Sequence, residues 1–213
     1  WFQITVGFVT MFYFIIGVFA SVLDIPQLNE VPWIKFSVVL VLFWITTLLQ
    51  FRGTSFTAKI AKYAFSLGIV LPVLALAVLA IYYFSNGHTV STNFTGVDFF
   101  PKEGNLAAMT AFVLTYMGVE ASAPKAVGLN NFKRSYPLIM MGLVLVGVIL
   151  CTLGGSIVAM VIEGNISSNE GLIDAFRVLI SPGKNSWPVI VIGVLICFGI
   201  FGQVSSWVVG PTS

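Results

Sequence analysis

Long apolar runs constrain the fold of this chain more than any other feature of its sequence. A helix that crosses the hydrocarbon core of a bilayer needs about 20 mostly apolar residues. Six stretches approach or exceed this length, and we predict a membrane span in each: 1–23, 33–51, 56–84, 105–128, 136–162 and 187–210. Hydrophobic residues make up 58% of the chain and charged residues only 8%, which is far from the composition of soluble domains. The predicted fold class is therefore an all-α integral membrane protein.

The apolar runs also reach both ends of the sequence. The chain starts inside the first run, on Trp1, and stops on the residues GPTS just after the last one. Runs of this length exclude a secretory signal peptide, because its apolar region is shorter. We expect residues 1–213 to form one transmembrane domain, an internal fragment of a longer transporter or channel with no soluble enzyme attached.

The charges between the runs predict the orientation in the membrane, because Lys and Arg are retained on the cytoplasmic side. Two connections are basic and contain no acidic residue, so we predict cytoplasmic loops at 52–62 and 125–135. Seven of the eight acidic residues fall on the other side: Asp24, Glu30, Asp98, Glu103, Glu163, Glu170 and Asp174. The eighth, Glu120, lies alone within a predicted span.

The motifs of soluble enzymes and of nucleic-acid-binding proteins are absent from this sequence. It contains neither a phosphate-binding glycine loop nor a zinc signature, and its one histidine, His88, lies in a polar connection. The basic residues do not form a single basic face, so we expect no nucleic-acid partner. We predict no enzymatic activity, no metal and no cofactor. For the glycines of the last two runs we expect close helix packing in lipid: Gly142, Gly147, Gly154, Gly155, Gly193, Gly199 and Gly202.

Glu120 belongs to the stretch TYMGVEASAP at 115–124. A carboxylate near the middle of a bilayer costs about 3 kcal/mol even on lenient scales, so it usually faces a cavity or a polar group. Gly118, Ser122 and Pro124 each disfavour a regular helix here, which predicts an interruption near 117–122. Two explanations stay open. The freed backbone groups form a substrate site, as in transporters, or Glu120 and neighbouring helices satisfy them in a tolerated kink.

Several motifs give the chain a family resemblance: YMGVEASA, KRSYP, GGSIVAMVIEGN, QFRGTSFTAKIAK at 50–62 and SSWVVGP at 205–211. The sequence resembles the amino acid-polyamine-organocation superfamily and, more narrowly, the bacterial glutamate/γ-aminobutyrate antiporters. This resemblance implies a LeuT-like fold of twelve helices, built from two inverted repeats of five. The six runs would then be transmembrane helices 3 to 8.

The resemblance also implies roles for individual residues. The unwound centre of one helix would bind substrate through Thr115, Tyr116, Met117, Gly118 and Val119, and Glu120 would link binding to the proton or gate state. Trp207 would face the central cavity, with Gln203 one turn earlier on the same face.

The sequence departs from the family pattern at two places. An acid is expected where this chain has Gln203, and an amide cannot titrate. In the stretch GLNNFKRSYP, Gly128 and Phe132 stand where an acid and a proline are expected. Substrate charge preference, pH dependence and intracellular gating contacts are the properties that these departures affect.

The resemblance implies exchange of external glutamate for internal γ-aminobutyrate by alternating access, linked to protons and serving acid resistance. The partners would be these amino acids, protons and the lipid of the inner (plasma) membrane. An exchanger or proton symporter of another amino acid is the main alternative. A channel would need a continuous polar pore, and a membrane-embedded enzyme would need paired catalytic groups, whereas Glu120 has no visible partner in the sequence.

Overall fold

The computed structural model describes residues 2–88, 132–162, 170–180 and 186–209. Within these ranges the chain is helical apart from short connections, and they contain no strand. We number the helices in chain order: α1 Phe2–Val22, α2 Gln27–Glu30, α3 Pro32–Gln50, α4 Thr54–Phe65, α5 Leu71–Ser85, α6 Phe132–Val161, α7 Gly171–Ile180 and α8 Trp187–Val209.

Four helical segments of the described chain are long and apolar enough to cross a membrane: Pro32–Gln50, Ser55–Ser85, Lys133–Val161 and Trp187–Ser205. A shorter apolar helical segment covers Val6–Val22. The expectation of an all-helical membrane protein is thus confirmed. The predicted span at 105–128 lies outside the described residues.

A widened turn joins α4 to α5 into one long, continuous helical segment. Residues Ser66–Val70 form a π-helical turn, in which the Leu71 N–H donates to the Ser66 carbonyl five residues earlier. Pro72 follows at once, at the start of α5. Its ring lacks an N–H and would clash with the carbonyl four residues before it in a regular α-helix. The extra residue in the turn removes that conflict without ending the helix.

Two helices begin within the segments that we predicted as cytoplasmic loops. Residues 54–62 of the predicted loop 52–62 belong to α4, and from residue 56 onward they also fall within the predicted span 56–84, so Lys59 and Lys62 lie on a helix. The α4 sequence TSFTAKIAKYAF contains Ala and Lys, both good helix formers, and Gly53 at φ 90° turns the chain just before it. Likewise α6 begins at Phe132, so the end of the predicted loop 125–135 is helical as well.

Helix α8 is the central element of the described structure. It packs against α1, α3, α4 and the π-helical turn, and its Val189 and Val204 side chains are fully buried. Hydrophobic residues of α1, α5, α6 and α7 complete one core around it. The position of α8 therefore depends on helices from the first 85 residues of the chain.

Glycines allow the close approach of α8 to its neighbours, as we predicted for this helix. A Cβ built on Gly199 would lie 2.7 Å from the Gly68 carbonyl carbon, and one on Gly202 would lie 2.2 Å from the Ala64 Cβ. These contacts advance along the chain in opposite directions, so α8 runs antiparallel to the α4–α5 segment.

The glycines of α6 differ from this prediction. No heavy atom lies within 4 Å of a Cβ built on Gly142, Gly154 or Gly155. None of these three positions packs closely against another helix in the described structure, so their small size is not required by a neighbouring helix.

Helix α7 is amphipathic and lies against the bundle. Ile173, Phe176 and Leu179 are buried, while Asp174 and Arg177 form an ion pair on the more exposed side. Its contacts extend to α1, α5, α6 and α8. The apolar face of α7 thus covers protein rather than a bare lipid surface.

Candidate functional site

The last three turns of α8 contain the described part of the predicted substrate site. Gln203 is exposed, whereas Gly202 and Val204 on either side of it are buried. Trp207 follows one turn later within the same helix, and residues four apart share a helix face. The structure describes the backbone of Trp207 and not its side chain. Gln203 therefore lies on a more exposed face of α8 than its packed neighbours Gly202 and Val204.

The opposite face of this part of α8 is held by hydrogen bonds. Ser205 is fully buried, and its hydroxyl donates to the Phe201 carbonyl over 2.9 Å. The side-chain amide of Gln50, at the end of α3, donates from Nε2 to the Ser205 carbonyl over 3.0 Å. At about 100° per residue, Ser205 lies about 160° around the helix from Gln203.

The remaining predicted site residues lie outside the described residues. These are the five predicted substrate contacts Thr115, Tyr116, Met117, Gly118 and Val119, together with Glu120. Their proximity to Gln203 and Trp207 stays a prediction. The predicted interruption near 117–122 also falls in this segment.

A second polar region, which the sequence analysis did not identify, lies between α1, α2 and α7. Arg177 joins α7 to α1, because its Nη1 pairs with Asp174 Oδ1 within α7 over 2.6 Å and its Nη2 donates to the Ser21 carbonyl of α1 over 2.6 Å. Asn29 Nδ2 donates to Glu170 Oε1 over 3.3 Å. The spacing of Asp174 and Arg177 is a sequence signal for their ion pair, but nothing local indicates the contact with Ser21.

These groups surround a polar cavity of about 270 Å³, which we call the α1–α7 cavity. Its polar and charged lining residues are Ser21, Asp24, Asn29, Glu30, Glu170 and Arg177. Lys35 of α3 is nearby, since its Nζ donates to Asn29 Oδ1 over 2.7 Å. The hydrogen bonds across this region attach α7 to the connection between α1 and α3.

The described residues contain no group of three or more His, Cys, Asp or Glu side chains arranged to hold a metal. The cysteines occupy different environments: Cys197 is buried in α8, and Cys151 is exposed on α6. The Cys197 Sγ contacts the Ile15 carbonyl over 3.8 Å, so this buried cysteine acts as a small packing residue between α8 and α1.

A comparison with protein families decides the class of this membrane protein. A family model described as amino acid permease matches residues 1–213. The chain belongs to this amino acid permease family. The match spans the whole chain, including the predicted site on α8 and the segment with Glu120. The expectation of a transporter family is therefore confirmed.

The chain is also similar to curated members of known transporters. It is 44% identical over its full length to proteins named glutamate/γ-aminobutyrate antiporter from two strains, Lactococcus lactis subsp. cremoris MG1363 and subsp. lactis IL1403. It is 30% identical to an uncharacterized transporter of Legionella pneumophila. The chain spans 43% of the length of each antiporter and 46% of the Legionella protein. The suspected resemblance to glutamate/γ-aminobutyrate antiporters is confirmed as a similarity.

Proposed function

We propose that this chain is part of an antiporter that exchanges external glutamate for internal γ-aminobutyrate. The observation that carries the proposal is the 44% identity over the whole chain to two proteins that bear this activity in their names. At this identity the surfaces that bind the transported amino acid are expected to be similar. The chain covers 43% of those relatives, so the activity is proposed for the protein that contains it.

The transport mechanism that we propose is alternating access around a site between broken and intact helices. Such folds place substrate near the bilayer midplane, where the ends of interrupted helices offer oriented backbone groups. The proposed site combines the backbone at 115–119 with the Gln203 and Trp207 face of α8. The solvent exposure of Gln203 between buried neighbours supports this assignment. A LeuT-like inverted repeat in the inner membrane, with the segments 52–62 and 125–135 on the cytoplasmic side, completes the proposal.

Counterflow into proteoliposomes tests the exchange. Vesicles that contain the full-length protein and internal γ-aminobutyrate should accumulate labelled external glutamate, whereas protein-free vesicles and vesicles without an internal amino acid should not. Uptake that is independent of an internal amino acid would contradict antiport. A channel would instead produce high unitary currents in electrical recordings.

Glu120 is the group that we assign to proton coupling. As the one acidic residue within a predicted span, it is expected to be neutral in one gate state and ionised in the other. Glu120→Gln should flatten the dependence of exchange on external pH, because an amide cannot titrate. Glu30→Gln, a charge change at the end of α2, is the matched control and should keep the wild-type profile. An unchanged profile in Glu120→Gln would remove this residue from the proton link.

A second candidate is an exchanger of a different amino acid, and Gln203 is the observation that favours it. The resemblance implies an acid at this position, and the amide alters the charge that an approaching substrate meets. A panel of labelled amino acids in the same counterflow assay separates the candidates. Preference for a neutral or cationic amino acid over both glutamate and γ-aminobutyrate would favour the second one.

A further inference from the structure

Gln50 forms a bond that joins two distant parts of the chain at the proposed substrate helix. It is the last residue of α3, and its amide reaches the Ser205 carbonyl 155 residues later. Ser205 lies one turn before the end of α8 at Val209. The bond therefore acts on the turn of α8 between Gln203 and Trp207.

The face of α3 that carries Gln50 is directed at α8. Thr46, one turn earlier on the same face, is fully buried, and its hydroxyl donates within α3 to the Phe43 carbonyl over 2.8 Å. Gln50 is half-buried and donates across the interface instead. The bond from Gln50 is thus a polar contact between the two helices, whereas the Thr46 hydroxyl bonds within its own helix.

The direction of this contact matters for the opposite face. Because Ser205 lies about 160° around α8 from Gln203, Gln50 holds the helix on the side opposite to Gln203. A small rotation or shift of the last turns would move Gln203 and Trp207 relative to any substrate in front of them. The acceptor of this bond is the main-chain carbonyl of Ser205, so the bond acts on the backbone of α8 and not on a side chain.

We infer that Gln50 is a positioning residue for substrate binding, which acts through the Ser205 carbonyl to set the depth and rotation of Gln203 and Trp207. This inference rests on the proposed substrate face of α8. It predicts an effect on affinity and selectivity, whereas a role in stability alone predicts less folded protein with an unchanged KM. Gln50 itself need not touch the substrate.

The test compares Gln50 variants in counterflow by the full-length protein. Gln50→Leu removes the donor, and Gln50→Glu keeps the size but replaces the amide by an acceptor. Both should raise KM about fivefold, which corresponds to the loss of one neutral hydrogen bond of about 1 kcal/mol. The KM ratios among transported amino acids should change, while kcat per folded protein stays near the wild-type value. Gln50→Lys keeps an N–H donor and should restore most of the affinity.

Two matched controls isolate the contact with α8. Thr47→Val removes a hydroxyl of α3 that donates to the Phe43 carbonyl over 2.8 Å and does not reach α8. Ser205→Ala removes the hydroxyl bond to Phe201 but leaves the Ser205 carbonyl for Gln50. Both controls should retain the wild-type KM ratios.

The inference is overturned if Gln50→Leu lowers the rate for every substrate by one factor at constant KM. It is also overturned if Gln50→Leu and Gln50→Glu misfold and Gln50→Lys does not restore folding and affinity. Wild-type specificity is measured first with the amino acid panel, and the variants are compared with whichever substrates the wild type exchanges. Failure to exchange glutamate and γ-aminobutyrate would refute the proposed function while the Gln50 comparison still proceeds.

Discussion

The crossing of Gly68 and Gly199 makes a sharp prediction for the stability of the helix bundle. In Gly68→Ala, the new Cβ would lie 2.3 Å from the Gly199 Cα and 2.5 Å from the Leu195 carbonyl oxygen. Both are backbone atoms, so no side chain can rotate away and α8 itself must shift. Overpacking of a well-packed core costs about 1–3 kcal/mol, and contact with rigid backbone belongs at the upper end of that range.

The helix propensity of Ala offsets part of this cost, by up to about 1 kcal/mol relative to Gly. The net destabilisation is therefore about 2 kcal/mol. For a protein of this size such a change lowers Tm by roughly 4–8 °C. Thermal unfolding of the detergent-solubilised protein, followed by size-exclusion chromatography with fluorescence detection, measures the shift.

Gly142→Ala is the matched control for this prediction. It makes the same change within α6, where no heavy atom lies within 4 Å of the new Cβ, so only the gain in helix propensity remains. Its Tm should equal or exceed that of the wild type. The reasoning is refuted if Gly68→Ala and Gly142→Ala unfold at the same temperature.

Two further predictions follow from the α1–α7 contact and from the cysteines. Arg177→Met should lower Tm more than Asp174→Asn. The Arg177 variant loses both the ion pair and the bond to the Ser21 carbonyl, whereas the Asp174 variant loses only the ion pair. Equal shifts of Tm in unfolding experiments would assign the whole effect to the ion pair. In single-cysteine variants treated with a small maleimide in detergent, Cys151 should be labelled well before Cys197, which is 4% exposed. Mass spectrometry follows the labelling. Faster modification of Cys197 than of Cys151 would contradict the packing of α8.

Proline and glycine illustrate how far local sequence predicts this fold. Pro72 indicates a disturbance of the helix in the third run, but the sequence does not show that a π-helical turn accommodates it or that Gly68 in this turn packs against α8. Both α6 and α8 contain several glycines within an apolar run. Gly193, Gly199 and Gly202 of α8 meet a neighbour closely, whereas Gly142, Gly154 and Gly155 of α6 do not. A glycine pattern does not specify which helix lies opposite it.

The start of α4 shows a different limit. The basic residues Lys59 and Lys62 interrupt the apolar run, but their charge does not prevent them from belonging to a helix. Hydropathy therefore predicts which residues can contact lipid, but it does not predict the residue at which the helix begins.

In the candidate site, too, some features follow from local sequence and others depend on contacts between residues far apart in the chain. The pairing of Gln203 with Trp207 on one face follows from helical periodicity. The contact of Gln50 with Ser205 does not, because it depends on the tertiary arrangement of α3 and α8. Likewise, the attachment of α7 through Arg177 and the Ser21 carbonyl joins residues that no sequence motif connects.

The central position of α8 has a consequence for biogenesis. Gln50 leaves the ribosome 155 residues before its partner Ser205, an interval of roughly 8 to 30 seconds at typical elongation rates of about 5–20 residues per second. During this time the faces of α1, α3 and α4 that α8 will cover stay without their final neighbour. Insertion machinery or lipid must shield them, so a ribosome that stalls before α8 would leave an intermediate vulnerable to membrane quality-control proteases.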